Sequence, residues 1–514
     1  MIRLRSLGGI ALSFAVVLSA GNASSITIST TSGALEGVDE NGVMSFKGIR
    51  YGQSPTGDRR WEPPLAFTST DTQDATKLGP SCIQQFEYFM ADFVKPAFNN
   101  PPPPEDEDCL FLNVWAPSGS NTEDDSKPVV VWIHGGDLKF GTGSLPVYDG
   151  TSIASNQNIV VVTINYRTNI LGFPASPDLP VQGNNLGFLD QDLALSWVQS
   201  NIAKFGGDPR RVTIMGQSAG GLSVSTAITR HTEPEPPFRA AVMLSGNLGK
   251  IGATPIPFND FAAAVNCTDA PGSARLACLK AVPAEKISEY VNGPDSGPFG
   301  AVTIDDLTAF KNPIDRIMAK QTARVPVLLG SSQDDGSIFY KFAGTAALTG
   351  FLAQGFRGGA SIPLSEQEQQ VRFTYSPGLN DTDLVSSAGT DFVFQCPASL
   401  WAAATVSSGI ADVYRYIYGP VFPELEIFPG AGAYHASEST PILAKLSATF
   451  QTAIANFIKD PTALPAPQWA RYDDGNVAKL AFEGNVETEN VVQMVSASSV
   501  DGSCALWDVG LGEV

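Results

Sequence analysis

In this 514-residue chain, chemistry is first suggested by a serine set between glycines, Gly216-Gln217-Ser218-Ala219-Gly220. A serine hydroxyl is a weak nucleophile until a base takes its proton, and that base is normally histidine. The chain has 3 histidines, His134, His231 and His435, so each can be weighed in turn. His134 closes an apolar run in His134-Gly135-Gly136, a place suited to backbone donors facing a developing oxyanion. His231 lies near Glu233, Pro234, Glu235, Pro236 and Pro237 and reads as part of a surface loop. His435 lies far downstream, in Gly432-Ala433-Tyr434-His435-Ala436-Ser437-Glu438. When a nucleophile sits on a strand-to-helix elbow, its partners follow in the order nucleophile, acid, histidine. Only His435 satisfies that order.

The acid then falls between Ser218 and His435. The apolar run Val325-Pro326-Val327-Leu328-Leu329 leads into Gly330-Ser331-Ser332-Gln333-Asp334-Asp335-Gly336, where either aspartate could orient an imidazole. Backbone N–H groups would supply an oxyanion hole: that of Ala219, and those of Gly136 and Asp137 in the loop after His134. Losing one such donor costs about 10²–10³ in rate. A carboxylate aimed at the oxyanion would oppose it, so the expectation is that Asp137 offers its N–H while its side chain points away.

These residues need a scaffold. Short Val- and Ile-rich runs at Val129–Ile133, Val160–Ile164, Val212–Met215, Ala241–Leu244 and Val325–Leu329 read as strands covered on both faces. Between the second and third, Asp190 to Phe205 carries Leu193, Trp197, Val198 and Ile202 at helical spacing, with Gly206-Gly207 as its stop. Leu222 to Ile228 can form the helix after Ser218. Strand, helix, strand is the unit of a parallel sheet. The glycines around Ser218 would admit a sharp turn, with the hydroxyl pushed out at the sheet edge.

Composition bounds the rest. At 43% hydrophobic the chain can bury a large core. With no linker, repeat or long charge run to divide it, a single catalytic domain over residues 21–514 is expected. Residues 1–20 read as a secretion signal: Arg3 and Arg5, an apolar run from Leu7 to Leu18, then small residues. That run is too short to span a bilayer, and no later one is longer, so a secreted protein without stable membrane insertion is expected. Six cysteines fit export; their order suggests Cys82 with Cys109, Cys267 with Cys278 and Cys396 with Cys504, although sequence alone permits other pairings. Asn266-Cys267-Thr268 and Asn380-Asp381-Thr382 are glycosylation sequons. A formal charge of −20 argues against nucleic acid as a partner. No CxxC pair or Cys/His cluster suggests a metal.

Taken together, the pattern resembles the type-B carboxylesterase family of cholinesterases, fungal lipases and secreted fungal esterases, and is closest in character to the last. The resemblance rests on Phe46-Lys47-Gly48-Ile49-Arg50-Tyr51-Gly52, Glu107-Asp108-Cys109-Leu110-Phe111-Leu112-Asn113-Val114, Leu189-Asp190-Gln191-Asp192-Leu193-Ala194-Leu195, Gly206-Gly207-Asp208-Pro209 and Trp469-Ala470-Arg471-Tyr472. It implies an α/β-hydrolase fold, with a large mostly parallel central sheet flanked by helices. It also implies hydrolysis of a small-molecule or lipid carboxylic ester through an acyl-serine, with no cofactor. The family's acid is the second residue of an acidic pair before glycine, which maps onto Asp335. The cysteine pairs match the family's, the third resembling cholinesterases more than the fungal lipases.

Some members are lipases or sterol esterases, and others are adhesion proteins that have lost the serine or histidine; acyl transfer to an alcohol would use the same intermediate. Two departures bear on substrate. Gln217 stands where the family usually has glutamate, and Asn99 lies near the position of the cholinesterase choline-binding tryptophan. The Cys82–Cys109 loop carries Phe86, Tyr88, Phe89, Met90, Phe93 and Phe98, which could form a mobile lid or pack on the core.

Overall fold

The computed structural model describes residues 23–509 except 89, 120–125, 248–256, 342–347, 376–377, 423–425, 439–447 and 481–491. The expected secretion signal, and Phe89 of the candidate lid, lie outside the described residues. A 13-stranded sheet organises the rest. Its middle is parallel, with Val160–Ile164, Lys127–Ile133, Gly207–Gln217, Ala240–Leu244, Val327–Ser332, Val413–Tyr418 and Asn476–Leu480 side by side in that order. Antiparallel strands extend one side through Phe111–Pro117, Val43–Arg50, Gly33–Glu40 and Ser24–Thr30, and the other through Val492–Ser496.

Every residue of Lys127–Ile133, Val160–Ile164 and Ala240–Leu244 is buried, which explains why these strands read as continuous apolar runs. Alternate residues feed the two faces: Val129, Val131 and Ile133 enter one apolar cluster, Val130 and Trp132 the other. The large, mostly parallel sheet flanked by helices is therefore present as expected.

Element ends moved. The strand expected at Val212–Met215 starts at Gly207 and runs to Gln217, because Gly216 and Gln217 still pair with Met243 and Leu244. The helix expected from Asp190 begins at Leu186, since Leu186 and Phe188 are fully buried and packing extends it by a turn. It closes at Asn201, and a 3₁₀ turn over Ile202–Phe205 carries the chain to Gly206 at φ 79°. The strand expected from Val325 begins at Val327, because Pro326 has no N–H to give a ladder and only its carbonyl is used, by Ala241.

Three disulfides join Cys82 to Cys109, Cys267 to Cys278 and Cys396 to Cys504. Buried ion pairs tie loops to helices. Asp190, with no exposed surface, accepts from the backbone N–H, Nε and Nη2 of Arg167 at 3.0, 2.8 and 2.7 Å. Arg60 grips Glu107 through Nε and Nη2 and reaches the carbonyl of Val282. Removing one partner of such a pair strands the other charge, which costs about 3–5 kcal/mol. Asp190→Ala should therefore lose about that much in urea denaturation; a loss under about 1 kcal/mol would show that Arg167 finds another acceptor.

Candidate active site

Ser218 sits between the strand Gly207–Gln217 and the helix Ala219–Arg230. Its backbone takes φ 56° and ψ −124°, and its hydroxyl does not cap the helix that follows. The turn is held by Ser218 N–H donating to Leu244 O at 2.9 Å and by Leu222 N–H donating to Ser218 O at 2.9 Å. The glycines act through close approach, whereas the positive φ falls on the serine itself. A Cβ on Gly220 would lie 2.0 Å from the carbonyl oxygen of Ile133. Ser218 is half-buried between the buried Gln217 and Ala219, and the first N–H groups of the helix have no intrahelical acceptor.

The loop after His134 lies directly on this turn. A Cβ on Gly135 would meet the Ser218 Cβ at 3.0 Å and the Gln217 Oε1 at 2.9 Å. Gly136 at φ 104° turns the chain, and its carbonyl accepts from Lys139 and Phe140. Asp137, at φ 55°, has a largely exposed side chain whose Oδ2 lies 2.7 Å from Lys139 Nζ. Its carboxylate is thus paired away from the turn, with Lys139 also bound to Glu87 at 2.7 Å. His134 is buried beneath the loop, stacked on Tyr166 at 4.3 Å. Burial pushes it down to about 4.

His435 arrives from the far end of the chain. Its Nδ1 lies 2.8 Å from Asp335 Oδ1, and its Nε2 lies 3.2 Å from Gln217 Nε2, the side chain next to Ser218. Of the two candidate acids, Asp335 reaches the imidazole. Asp334 instead staples the histidine loop: its N–H donates to Ala433 O and its Oδ2 accepts from Ala433 N–H, both at 3.0 Å. Asp335 is fully buried, and its Oδ2 accepts from Ser332 N–H at 2.7 Å. Burial lowers His435 to about 4, against the opposing pull of Glu438 and Asp137, so the imidazole is neutral at neutral pH. The third histidine, His231, is held by Glu233 and Asp192 at 2.6 and 3.1 Å, away from these residues.

Three neighbours were not singled out by the sequence. Glu438, three residues after His435, has no exposed surface, and its Oε2 accepts from Ser332 Oγ at 2.7 Å. Burial, then the charge of Asp335, pushes its carboxyl up to about 7. Phe394 and Phe339 pack on the imidazole at centroid distances of 4.6 and 5.2 Å. Phe394 lies in a single π-helical turn, Asp391–Gln395. An acid three residues past a histidine was the one available signal; the phenylalanines had none.

In the Cys82–Cys109 loop, Ala91–Phe98 is helical. Phe93 lies 6.4 Å from Phe428, and Phe98 packs with Ile338, Ala431 and Tyr434, so the loop rests on the segment that carries His435. Phe86 is buried against Phe140, Tyr88 is exposed, and Asn99 is buried, accepting from Gln84.

Residues 24–497 match the carboxylesterase family. The chain belongs to the carboxylesterase family. It is 29% identical to Secreted lipase 5 of Gibberella zeae over 93% of this chain and 94% of that one. It is 30% identical to Para-nitrobenzyl esterase of Bacillus subtilis over 90% and 96%. A mouse protein, Cholinesterase, is 32% identical over 66% of this chain and 56% of its own length. Membership makes this carboxylesterase an α/β-hydrolase and a serine-dependent carboxylic ester hydrolase.

Two outcomes follow from the geometry. A carboxyl held above its ordinary 4.5 binds its proton more tightly in the folded chain than in the unfolded one. Its contribution to stability is complete below 4.5 and is lost as pH rises through about 7. The Tm of Glu438→Gln relative to wild type should therefore rise between pH 5 and 8, whereas a constant difference would mean that Glu438 is ionised throughout. Because the Asp137 carboxylate is turned to Lys139, Asp137→Gly should keep ester turnover within about tenfold of wild type. A collapse as deep as that of Ser218→Ala would give the carboxylate a direct role.

Proposed function

We propose that this carboxylesterase cleaves esters through an acyl-enzyme on Ser218, with His435 as base and Asp335 as the acid that orients it. The observation that carries the reading is the imidazole bridging the two loops, its Nδ1 on Asp335 and its Nε2 turned to the residue beside Ser218. Asp335 as acceptor selects the Nδ1–H tautomer and leaves the Nε2 lone pair for the serine proton. Ser218 Oγ attacks the ester carbonyl and His435 takes the proton. The N–H groups of Gly136, Asp137 and Ala219 then receive the negative charge of the tetrahedral intermediate. His435 next passes its proton to the departing alkoxide, and water repeats the sequence on the acyl-serine. The groups named are all side chains or backbone of this chain, and the reading uses no cofactor.

The substrate side of the site favours uncharged esters. Phe339 and Phe394 form an apolar wall beside the imidazole, and partly exposed Phe339 and Val393 leave it open to a ligand. Quaternary ammonium groups are held by aromatic faces, and the buried Asn99 is a poor substitute for one. Small-molecule and lipid esters both fit this description.

The chain would act outside the cell as one catalytic unit over residues 21–514, after loss of residues 1–20. Supporting this are its likeness to a secreted lipase and its three disulfides, a feature of oxidising compartments. No helix among the described residues is long and apolar enough to cross a membrane. Asn266 and Asn380 are exposed and open to glycosylation. The acidic balance of −20 speaks against nucleic acid as a partner.

In the test, Ser218→Ala should lose at least about 10³-fold in kcat/KM on a p-nitrophenyl ester. An organophosphate should add its mass to the peptide containing Ser218 in the wild type and to no peptide of the variant. Retained turnover in Ser218→Ala, or an adduct elsewhere, would overturn the assignment.

A further inference from the structure

Gln217 touches both halves of the site. It is buried, its Nε2 lies 3.2 Å from His435 Nε2, and its Oε1 rests against Gly135 of the oxyanion loop. Asp335 holds the proton of the imidazole on Nδ1, so Nε2 is an acceptor and the Gln217 amide donates to it. The nitrogen that must take the Ser218 proton is thus occupied, in the resting enzyme, by a neutral donor.

A donor on Nε2 stabilises the neutral imidazole and opposes the imidazolium, whose Nε2–H would need an acceptor. A carboxylate in the same place would do the reverse, because opposite charge close by favours the charged form. The remaining groups that face the ring are fixed. Asp335 accepts from Nδ1, and Asp334 is spent on the backbone of Ala433. Glu438 lies on the ring's own loop, next to Tyr434, with its carboxyl raised by burial. Asp137 contributes from the oxyanion loop, although Lys139 pairs with it. The helix Ser337–Tyr340 presents neutral Phe339, and the turn Asp391–Gln395 presents neutral Phe394, its Asp391 bonded away to Tyr375 and Ser503. The elbow itself therefore decides whether another charge is added beside Nε2, and here it adds none.

We propose that Gln217 is a positioning residue that holds His435 through Nε2 and keeps the base unprotonated, and so competent, in acidic media. The proposal rests on the assignment of Ser218 and His435 above. On substrate binding the amide yields Nε2 to the Ser218 hydroxyl.

The experiment is a pH profile of kcat/KM on one soluble ester for wild type, Gln217→Glu and Gln217→Ala, with Ser218→Ala alongside. Gln217→Glu differs by one atom and keeps the volume, so folding should survive; near-ultraviolet CD of each variant checks this. The acidic limb of Gln217→Glu should move up by about 1–3 pH units. One unit below its new midpoint, its rate should be about tenfold under its plateau, where wild type is still active. Gln217→Ala removes the donor without adding a charge, so its limb should also move up, by less than that of Gln217→Glu, while kcat should fall several-fold with KM little changed because the ring is less firmly held. A purely structural role would lower the plateau of both variants and leave both limbs in place. If Ser218→Ala is inactive and the Gln217→Glu limb stays within about 0.3 unit of wild type, the proposal for Gln217 fails alone. If Ser218→Ala keeps its activity, the serine assignment fails and takes the Gln217 proposal with it.

Discussion

Ser218 holds φ 56° and ψ −124°, a backbone state that a residue with a Cβ rarely adopts, and the structure around it is arranged to keep it there. Such a turn persists only when neighbours over-determine it. The strand before it pairs as far as Gln217 with Leu244, which leaves no residue to relax the bend. Leu244 O takes the serine N–H, and Gly220 lies so close to Ile133 that no side chain could fit there. Ile133 in turn ends the strand that leads to Gly135, so the loop of Gly135 and the turn of Ser218 are braced on each other. Straining one residue fixes two functional elements, and the fully buried parallel strands on either side supply the rigidity.

Buried charge obeys the same economy. Arg167 with Asp190 and Arg60 with Glu107 are fully satisfied pairs that tie loops to helices. Around His435 the arrangement differs, because two carboxylates, Asp335 and Glu438, are buried within reach of Ser332. Two like charges cannot both ionise cheaply in such a place. Burial raises the proton affinity of both carboxyls; Asp335 has the imidazole N–H and a backbone N–H as donors, whereas Glu438 has the Ser332 hydroxyl. The imidazole N–H favours the ionised form of Asp335, and that charge in turn raises Glu438. Asp334 draws the histidine loop inward through Ala433, which sets the imidazole opposite Asp335.

Much of this was legible in the chain because it is local. The apolar runs are strands since both faces are covered, and the elbow follows from glycine spacing and strand-to-helix context. His435 was reached by elimination among a handful of histidines. Element ends were less legible: Leu186 and Phe188 join their helix by packing, and Pro326 trims its strand by a missing N–H, neither of which is a matter of period. Asp334 and Asp335 look alike in residue type and setting; the family resemblance pointed to Asp335, and the placement of their loop against Tyr434 is what makes Asp334 the staple. Glu438 resembles any acidic loop residue until its burial is known. Phe339 and Phe394 come from segments 55 residues apart in number yet share one ring as neighbour, information that no window of sequence holds.

The charges at the site add up to a reason for its unusual threshold. Burial and the charge of Asp335 push the Glu438 carboxyl up to about 7, the Asp137 carboxylate is paired with Lys139, and Asp335 is the carboxylate bonded to the ring. In the proposed mechanism, when Ser218 gives up its proton the imidazolium and Asp335 neutralise each other, and the oxyanion charge is left to backbone N–H groups. A glutamate beside Ser218 would lie near that oxyanion and oppose it, as well as trap the proton on His435. Gln217 avoids both effects while still filling the space between Gly135 and the imidazole. On that proposal, the neutral Gln217 before Ser218 and the paired Asp137 are two halves of one adjustment. Both keep negative charge off the path along which negative charge must develop.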